Sequence, residues 1–480
     1  MADRSGTGRD GTVVCVDFGS TFTKAALVDL AEGRLVASAS HPTTIGTDVL
    51  DGYDACLADL VAQDARAATA EVLACSSAGG GLRVAVVGNE ELVTAEAGRR
   101  VALSSGGKVV DVVALSPAGT GAGTPTVEDV TKTLADACPD VVLLTGGTDG
   151  GNPEPLVTGA RLLADAGWRG PVVVAGNVDA RDDAAAVLDA AGAPYVLADN
   201  VVPRIGVLAP ESARAAIREM FLRHVIGGKH LSSRTTAAGE AFTELVRGAT
   251  PDVVLTGVEL LAHGLDEERP GAGDVVVVDV GGATTDVHSV VEVDPEDAGL
   301  SREVVATTPV TRTVEGDLGM RWSAVTTVEA AGLDLADEAA RRHDDPAFLP
   351  ADEADAAVDE AIAAAAVGLA LRRHAGRSRV VVGPDGRVVE RSGKDLREVD
   401  LLVGSGGVLR NGRPGVAARV LAGSTGEDAS GEEGWQLPRS PRTVVDRDYV
   451  LAAAGLLAGA HPDAAYRLVM GLTGGGRGEG

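Results

Sequence analysis

Two segments of one design, far apart in the chain, limit the possible folds more than any other feature. They read VVCVDFGSTFTKAALVDL at residues 13–30 and VVVVDVGGATTDVHSVV at residues 275–291. In each, an apolar run rich in valine leads to an aspartate, a tight turn of small residues and a second apolar run. β-Branched runs on both sides of a short glycine-containing turn are typical of a β-hairpin. Each segment therefore predicts two paired strands that bring a carboxylate and the N–H groups of a turn to one point.

The residues of the two turns are of the types that bind phosphate through the backbone. Unpaired N–H groups bind a polyphosphate best where side chains are small, and glycine also adopts the positive φ that such turns use. The residues that fit these needs are Gly19, Ser20 and Thr21 in the first turn and Gly281, Gly282, Thr284 and Thr285 in the second. One such turn is a weak signal, and two ordinary hairpins are the alternative interpretation. The pair predicts an ATP site formed from two sides.

Charged residues beside the turns extend this interpretation. Asp17 and Asp279 end their strands, where a carboxylate can bind hydrated Mg²⁺ or orient an attacking water. Asp286 is a third acid near the same point, and Lys24 lies within reach of a β- or γ-phosphate. We therefore expect ATP and Mg²⁺ as cofactors, with Asp17, Asp279 and Asp286 as metal ligands.

Two further segments carry candidate residues. Glu259, on a predicted helix, is a third candidate besides Asp17 and Asp279 for the residue that orients the nucleophilic water. The alternative is that it occupies a solvated helix position. The turn in VEGDLGMRWSA, with Gly316 and Gly319, leads into a helix. Because a helix N-terminus attracts anions through its free N–H groups and its dipole, this turn is also expected to face the nucleotide.

A last glycine-rich turn follows a buried strand late in the chain. The sequence DLLVGSGGVLRNG occupies residues 400–412. Gly404, Gly406 and Gly407 would let a purine ring lie against the backbone. A GSGG turn alone means little, but its place after the second hairpin supports its interpretation as an adenosine loop.

Strand-like apolar runs alternate with helical stretches along the 480 residues, which predicts an α/β fold with parallel sheets. We expect a first lobe at 11–135, an inserted α/β unit with connecting helices at 136–250, and a second lobe at 251–475. Within the second lobe, residues 251–264 are interpreted as a strand that runs into a helix. The turn TGGTDGG at residues 145–151 is either a ligand loop at the carboxyl end of a strand or a chain reversal.

The acidic balance of the chain excludes several classes of function. The formal charge is −28 at pH 7 and the sequence pI is about 4.6, so nucleic acid and anionic membranes would repel this protein. The first residues are polar, and no uncharged apolar run reaches the roughly 18 residues of a membrane helix. Cys15, Cys56, Cys75 and Cys138 lack the spacing of an iron–sulfur or zinc site. We expect a cytoplasmic protein with buried free thiols.

In their order, these motifs resemble those of the actin-like ATPase superfamily, which includes actin, heat-shock ATPases, sugar kinases and bacterial FtsA-type proteins. The resemblance implies two ribonuclease H-like lobes with ATP and Mg²⁺ in the cleft. It assigns nucleotide binding to Asp17, Gly19, Ser20, Thr21, Lys24, Asp279, Gly281, Gly282, Thr284, Thr285, Gly316, Gly319, Gly404, Gly406 and Gly407. Because one fold supports many functions, the superfamily alone does not give the function.

A narrower resemblance extends over nearly the whole chain. DFGSTFTKAALVDL, LLTGGTDGG, NVVPRIGVLAPE, VVDVGGATTDVHSVV, EGDLGMR and VGSGGVL look like segments of the MutL-type (GlmL) accessory proteins of cobalamin-dependent glutamate mutase. These proteins are unrelated to the mismatch-repair protein of the same name. NVVPRIGVLAPE and EGDLGMR are the most specific of the six. The resemblance implies an ATP-dependent reactivating chaperone whose partners are the mutase subunits.

Cobalamin itself is not expected to bind through the usual motif. Cobalamin-binding subunits carry the signature Asp-x-His-x-x-Gly, which Asp286 and His288 begin, but Val291 stands where the glycine belongs. The chain also lacks the cysteines by which the related acyl-CoA dehydratase activators hold an iron–sulfur cluster. We therefore expect a protein that serves a cobalamin enzyme without this cobalamin motif.

The predicted function is an ATP-binding, ATP-hydrolysing factor that reactivates a cobalamin-dependent mutase. Two other classes stay open at the level of sequence. A small-molecule kinase of the same fold needs a carboxylate base beside an acceptor pocket, for which Glu259 and Asp149 are candidates. An actin-like scaffold would polymerise in the presence of ATP.

Overall fold

The computed structural model of the protein describes residues 11–116, 123–292, 308–383, 386–426 and 434–474. The chain forms two compact units. The first contains the chain up to Leu27 and the long segment Ala37–Val253. The second contains Val28–Val36 and most of the chain from Val254 onward.

The strands are β1 Thr12–Phe18, β2 Phe22–Asp29, β3 Arg34–Pro42, β4 Glu71–Ser76, β5 Leu82–Glu90, β6 Gly107–Ser116, β7 Val141–Leu144, β8 Val172–Val174, β9 Tyr195–Leu197, β10 Val246–Ala249, β11 Gly264–Asp266, β12 Arg269–Pro270, β13 Val275–Val280, β14 Thr285–Val290, β15 Val310–Glu315, β16 Arg377–Gly383, β17 Gly386–Ser392, β18 Leu401–Ser405 and β19 Arg442–Val445.

The helices are α1 Val49–Gln63, α2 Glu96–Ser104, α3 Val127–Ala137, α4 Glu154–Asp165, α5 Arg181–Ala191, α6 Glu211–Met220, α7 Ile226–Gly228, α8 Phe242–Leu245, α9 Thr250–His263, α10 Ala324–Ala331, α11 Ala336–Asp344, α12 Glu353–His374, α13 Gly407–Asn411, α14 Val416–Leu421, α15 Val450–Leu457 and α16 Pro462–Gly474. Short 3₁₀ turns lie at Ala65–Ala68, Val178–Ala180 and Ala422–Ser424, and π turns at Glu91–Ala95 and Phe221–Val225.

Two of the five-stranded sheets share one topology. The strand order is β3-β2-β1-β4-β10 in one and β15-β14-β13-β18-β19 in the other. In both, the strand that carries the aspartate before the turn lies at the centre. It forms a hairpin with the next strand on one side and pairs in parallel with a later strand on the other. This is a ribonuclease H-like arrangement, so the prediction of two ribonuclease H-like lobes is confirmed.

A third five-stranded sheet is inserted in the sequence between β4 and β10 of the first sheet. Its order is β6-β5-β7-β8-β9, and all its pairs are parallel. Counted from β5, this is the doubly wound order 2-1-3-4-5. The inserted α/β unit is thereby confirmed, and it includes β5 and β6, which lie before residue 136. The domain ranges 11–135, 136–250 and 251–475 remain a prediction.

The core of the second unit forms between one sheet face and the helix α12. Val276, Val278 and Val280 alternate along β13 and are buried against this helix, because successive side chains of a strand point to opposite faces. Small residues such as Ala363 and Ala366 on α12 are also fully buried there. The opposite face of β13 carries Asp279, so the alternation that builds the core also directs the acid away from it.

The prediction of a strand at the start of residues 251–264 is wrong. The helix α9 runs from Thr250 to His263, and the strand β10 ends just before it at Ala249. A proline in the first turn of a helix costs nothing, because its missing N–H would have no partner there in any case. The apolar run after Pro251 has no clear period of two or 3.6, so its pattern alone did not distinguish the two structures.

The four cysteines are free thiols. Cys15, Cys56 and Cys75 are buried as expected, but Cys138 is exposed. It ends α3 in the left-handed region, with φ of 42°, which places it at a surface turn. Within the described ranges, no helix combines the length and apolarity needed to cross a bilayer.

Candidate nucleotide site

The first turn, residues 19–22, joins β1 to β2. The N–H of Gly19 donates to the carbonyl of Phe22 at 3.1 Å, and a Cβ on Gly19 would lie 2.6 Å from the same oxygen. Only glycine therefore fits this position without a shift. Ser20 and Thr21 are exposed, and their N–H groups donate to no acceptor in the described part of the chain. The turn thus offers two open backbone donors.

Asp17, at the end of β1, is held by three neighbours within the first unit. The Thr250 hydroxyl donates to its Oδ1 at 2.6 Å, and Lys24 Nζ lies 3.5 Å from its Oδ2. The thiol of Cys75 is 3.6 Å from Oδ1 and donates to it. Burial raises the pKa of Cys75, and the negative charge of Asp17 adds to this effect, so the thiol keeps the proton that it donates. Asp17 and Lys24, both candidate site residues, thus lie together in the first unit.

The second turn, residues 281–284, repeats this geometry between β13 and β14. The N–H of Gly281 donates to the carbonyl of Thr284 at 2.9 Å, and a Cβ on Gly281 would lie 2.9 Å from that oxygen. The N–H groups of Gly282 and Ala283 find no acceptor among the residues that the structure covers. Two separate sequences therefore form the same turn with the same open donors, which is the geometry of a backbone phosphate cradle.

Asp279 and Asp286 face each other across the second hairpin, because they are direct partners in the β13–β14 register. Asp286 is neutralised by Arg312, whose Nη2 and Nε donate to its Oδ1 at 2.6 and 3.1 Å. Its Oδ2 accepts the hydroxyl of Thr284 at 3.2 Å. The charge of Asp286 is thus already balanced by Arg312, so it would attract a metal ion less strongly than an unpaired carboxylate.

Thr285 and Gly319 have packing roles beside the second turn. Thr285 is fully buried and donates its hydroxyl to the carbonyl of Leu318 at 3.1 Å. A Cβ on Gly319 would lie 2.8 Å from the carbonyl oxygen of Gly282. Gly316 is exposed and has open space around its Cα. Of these three predicted site residues, only Gly316 has room for a ligand.

The segment that contains Gly319 orients the second turn. The N–H groups of Met320 and Arg321 donate to the carbonyls of Gly281 and Gly282 at 3.0 and 2.8 Å. With these carbonyls fixed on one side, the free N–H groups of the turn point to the other. Met320 and Arg321 of the EGDLGMR motif therefore support the second turn, and the expectation that Gly316 faces the nucleotide stays a prediction.

The GSGG turn lies directly beside the second turn. Gly406 has φ of +110°, and a Cβ there would lie 2.3 Å from the carbonyl oxygen of Val280, the residue before Gly281. Gly404 packs on Leu409, which a Cβ would meet at 2.8 Å. Gly407 is exposed, and a Cβ added to it would meet no atom within 4 Å. Two glycines therefore allow close packing, and the third leaves a surface free for a ligand.

Sequence reasoning missed three residues that shape this site. Thr250, Arg312 and Asp446 were not candidates, although each contacts or faces a predicted acid. Asp446 is buried and caps α15, accepting from the N–H groups of Val450 and Leu451 at 2.9 and 3.1 Å. Burial raises its pKa to about 6, and the charges of Asp448 and Asp279 contribute. The Thr-Pro pair at the start of α9 was the one local signal, because it is typical of a helix N-terminus.

Two further predicted acids lie on other elements of the chain. Glu259 is half-buried on α9 in the second unit. Asp149 lies in a loop of the inserted sheet, where its Oδ1 accepts from Asn200 Nδ2 at 2.8 Å and from the N–H of Val178 at 3.2 Å. The catalytic base of a kinase would need a carboxylate with fewer hydrogen bonds from the protein than Asp149 accepts.

The donor set fits ATP with Mg²⁺. Open N–H groups and Lys24 suit phosphate oxygens, and Mg²⁺ commonly takes only one or two protein carboxylates with phosphate and water. Asp17 stands beside the first turn and Asp279 beside the second, so each turn has one such carboxylate of its own. Over the described ranges, no three His, Cys, Asp or Glu side chains group closely enough to hold a metal without help from a ligand.

Comparison with known proteins gives a family. The chain matches the MutL protein family over residues 13–471. It belongs to this family. Protein MutL of Clostridium tetanomorphum is 36% identical over 408 residues, which cover 82% of this chain and 85% of that protein. The match to the MutL family includes both hairpins and the inserted sheet. The three five-stranded sheets therefore lie almost entirely within the part of the chain that matches the family.

Solved structures resemble this MutL family member only loosely. The ethanolamine utilization protein EutJ of Carboxydothermus hydrogenoformans has a TM-score of 0.27 and 12% identity, with 95% of this chain and 89% of that chain covered. Xylulose kinase of Bifidobacterium adolescentis has a TM-score of 0.26 and 11% identity, with 95% and 99% covered. Such scores carry no inference, and the assignment of the ribonuclease H-like sheets rests on strand order.

Proposed function

We propose that this chain is an ATP-binding accessory protein of cobalamin-dependent glutamate mutase, which it reactivates with hydrolysis of ATP. The observation that carries the ATP part is the repeated turn, since two unrelated loops rarely share one set of open N–H donors beside an aspartate. Membership of the MutL family supports the mutase as partner. The proposed cofactors are ATP and Mg²⁺.

In this proposal the backbone of both turns binds phosphate oxygens. Gly19, Ser20 and Thr21 act in the first turn and Gly281, Gly282 and Thr284 in the second, while Lys24 adds a positive charge. Gly407, with open space above its Cα, would contact the adenosine. When bound, Mg²⁺ would screen the charge of the phosphate chain. Asp17 and Asp279 are its proposed ligands, and Asp286 a weaker candidate because Arg312 already pairs with it.

In this proposal, hydrolysis of ATP changes the contacts between the turns and the nucleotide. Loss of the γ-phosphate removes the contacts that an ATP-loaded turn makes, and a ligand shifts a conformational equilibrium only by such differences in contact. We propose that the mutase binds differently to the ATP and ADP forms, and that release of damaged cobalamin follows from this difference. Asp17, Asp279 and Glu259 remain the candidates for the residue that orients the attacking water.

Calorimetry with ATP and Mg²⁺ tests the binding site. We expect wild-type protein to bind and Asp279→Asn to lose at least about tenfold in affinity, since one charged ligand is removed. Asp274→Asn is the matched control, because Asp274 lies at the other end of β13 and accepts from the N–H of Glu292 at 2.9 Å. Absence of ATP binding by the wild-type protein, or equal loss in both variants, would contradict the proposed site.

Reactivation is tested with glutamate mutase whose cobalamin has been inactivated. Fresh cobalamin and ATP should restore mutase activity only when this chain is present, and ADP should not replace ATP. Recovery at the same rate without the chain would overturn the reactivating role. ATP-dependent phosphorylation of a small molecule in the absence of mutase would instead favour a kinase.

A further inference from the structure

The loop after β9 has a rigid base. The N–H of Val201 donates to the carbonyl of Ala175 at 3.1 Å, and the N–H of Ala209 returns to the carbonyl of Val201 at 2.9 Å. Asn200 is buried and donates from Nδ2 to the carbonyl of Gly147 at 3.0 Å. These bonds tie both ends of the loop to the carboxyl edge of the inserted sheet.

The tip of this loop, residues 204–207, carries an exposed apolar side chain on an ordered turn. The N–H of Val207 donates to the carbonyl of Arg204 at 3.0 Å, and Gly206 has φ of +77°. Ile205 is 77% exposed and Val207 is 38% exposed. The isoleucine contributes almost nothing to folding, since its surface stays in water. A pre-ordered turn that carries such a residue is well suited to bind a partner at low entropic cost.

A neighbouring turn extends the apolar surface. Asp149 joins the two, because its N–H donates to the carbonyl of Pro203 at 3.1 Å and its Oδ1 accepts from the N–H of Val178 at 3.2 Å. Val178 is 39% exposed. Isolated exposed apolar residues are common on protein surfaces and need no explanation. Here three of them lie on turns that share one aspartate.

The charge at the tip indicates the chemistry of the partner. Arg204 is exposed, and its guanidinium makes no hydrogen bond or ion pair with the residues that the structure describes. Nearby acids are engaged: Asp179 accepts from the N–H of Gly150 at 2.9 Å, and Asp199 lies 3.6 Å from Arg181. Asp179 keeps its charge in its bond to Gly150, and the tip offers Arg204 as a cation without an ion-pair partner among the described residues, on a chain that carries −28 overall.

We propose that residues 204–207 are the anchor by which this chain binds the mutase. Ile205 would enter an apolar pocket on the mutase, and Arg204 would pair with a carboxylate at the border of that pocket. Arginine is enriched among the residues that carry most of the binding energy at interfaces, and an aliphatic side chain can act as the anchor that fills a pocket. The inference rests on the proposed function, because it names the surface for that partner.

The first test compares two equally exposed residues. Ile205→Asp is the variant, and Leu349→Asp is the matched control, because Leu349 is also 77% exposed but lies in the second unit. Binding to purified glutamate mutase is measured by surface plasmon resonance with ATP present. We expect Ile205→Asp to weaken binding at least about tenfold and Leu349→Asp less than about twofold. Both variants should bind ATP as the wild-type protein does.

The second test addresses charge. Arg204→Glu is compared with Arg169→Glu, which is also exposed and precedes β8 at the opposite edge of the same sheet. Reversal at Arg204 should weaken mutase binding at least about tenfold and reduce its dependence on salt. Reversal at Arg169 should leave both unchanged.

The outcomes separate this inference from the function on which it rests. Normal mutase binding by Ile205→Asp overturns the anchor and leaves the proposed function intact. Wild-type protein that binds ATP but not the mutase overturns the proposed partner itself. Self-association of the wild-type protein that disappears in Ile205→Asp would show that a second copy occupies the tip, which also overturns the proposal.

Discussion

Arg312 donates two hydrogen bonds to one carboxylate oxygen of Asp286, and the other oxygen accepts the hydroxyl of Thr284 in the second turn. Side-chain exposure is only 4% for Arg312 and 18% for Asp286. Their pairing therefore fixes the orientation of a turn residue from within the sheet. It also uses the carboxylate of the third acid that the sequence assigned to the metal.

Removal of Arg312 should destabilise the protein more than removal of the whole pair. Arg312→Gln leaves a mostly buried carboxylate without its cation, for which we expect a loss of about 3 kcal/mol in the free energy of unfolding. Asp286→Asn combined with Arg312→Gln leaves no unpaired charge and should cost clearly less. Urea unfolding followed by circular dichroism gives both values. Equal losses in the single and double variants would show that the ion pair is not the cause.

Thr250 should matter for ATP through its bond to Asp17. Thr250→Val removes a 2.6 Å hydrogen bond to a buried carboxylate, and such bonds contribute about 1.5–3 kcal/mol. We expect ATP to bind roughly tenfold more weakly, with Thr250→Ser close to wild type because it keeps the hydroxyl. Calorimetry over a range of Mg²⁺ concentrations checks this. Equal affinity in the valine and serine variants would exclude a role for the hydroxyl.

The neighbouring glycines Gly406 and Gly407 should respond differently to alanine. Gly406→Ala places a Cβ 2.3 Å from the carbonyl oxygen of Val280 at φ of +110°, so we expect a loss of stability of several kcal/mol, on the order of that for strained sites. Gly407→Ala meets open space and should leave the unfolding midpoint unchanged. If this turn is the adenosine loop, Gly407→Ala should still weaken ATP binding. Unchanged binding in that variant would argue against adenosine at this turn.

Local pattern was sufficient to predict the hairpins. The β-branched runs, the aspartate and the small turn residues of each hairpin are close in sequence, and they specify the turn without help from the rest of the chain. The partners of the acids could not be predicted in this way. Thr250 is separated from Asp17 by 233 residues, and only the parallel addition of β10 to the first sheet brings them together.

Ambiguous apolar patterns account for the errors. Pro251 lies in the first turn of a helix whose valines also suit a strand, so the sequence after it did not decide between helix and strand. The strands β5 and β6 could have joined either the first sheet, which precedes them in the chain, or the inserted sheet, which follows them. Their composition was compatible with both sheets. Arg312 could not be recognised as a partner of Asp286, because the register between β14 and β15 places His288, not Asp286, opposite it.

Asp446 should make stability depend on pH. Because burial raises its pKa to about 6, the folded protein binds this proton more tightly than the unfolded chain, whose pKa is near 3.8. The cost of ionising it is therefore absent below about pH 4, grows between pH 4 and 6, and reaches roughly 3 kcal/mol above pH 6.

The variant Asp446→Asn tests this effect. The amide oxygen can still cap α15, but it cannot ionise. We expect Asp446→Asn to be more stable than wild type at pH 7.5 and to lose the advantage at about pH 4. Asp448→Asn, at an exposed neighbour, should show a smaller change. A difference between Asp446→Asn and wild type that is equal at both pH values would contradict the assignment.

The two turns share a backbone but not a charge. Lys24 follows Asp17 by the same number of residues as Asp286 follows Asp279, so corresponding positions hold opposite signs. If the charges matched, either hairpin could serve the same end of a phosphate chain. Because they do not, the two hairpins match in backbone shape but differ in the charge beside the turn. One hairpin therefore cannot take the place of the other. An exchange of Lys24 and Asp286 between the hairpins would keep the shape of both turns and reverse the charge beside each of them.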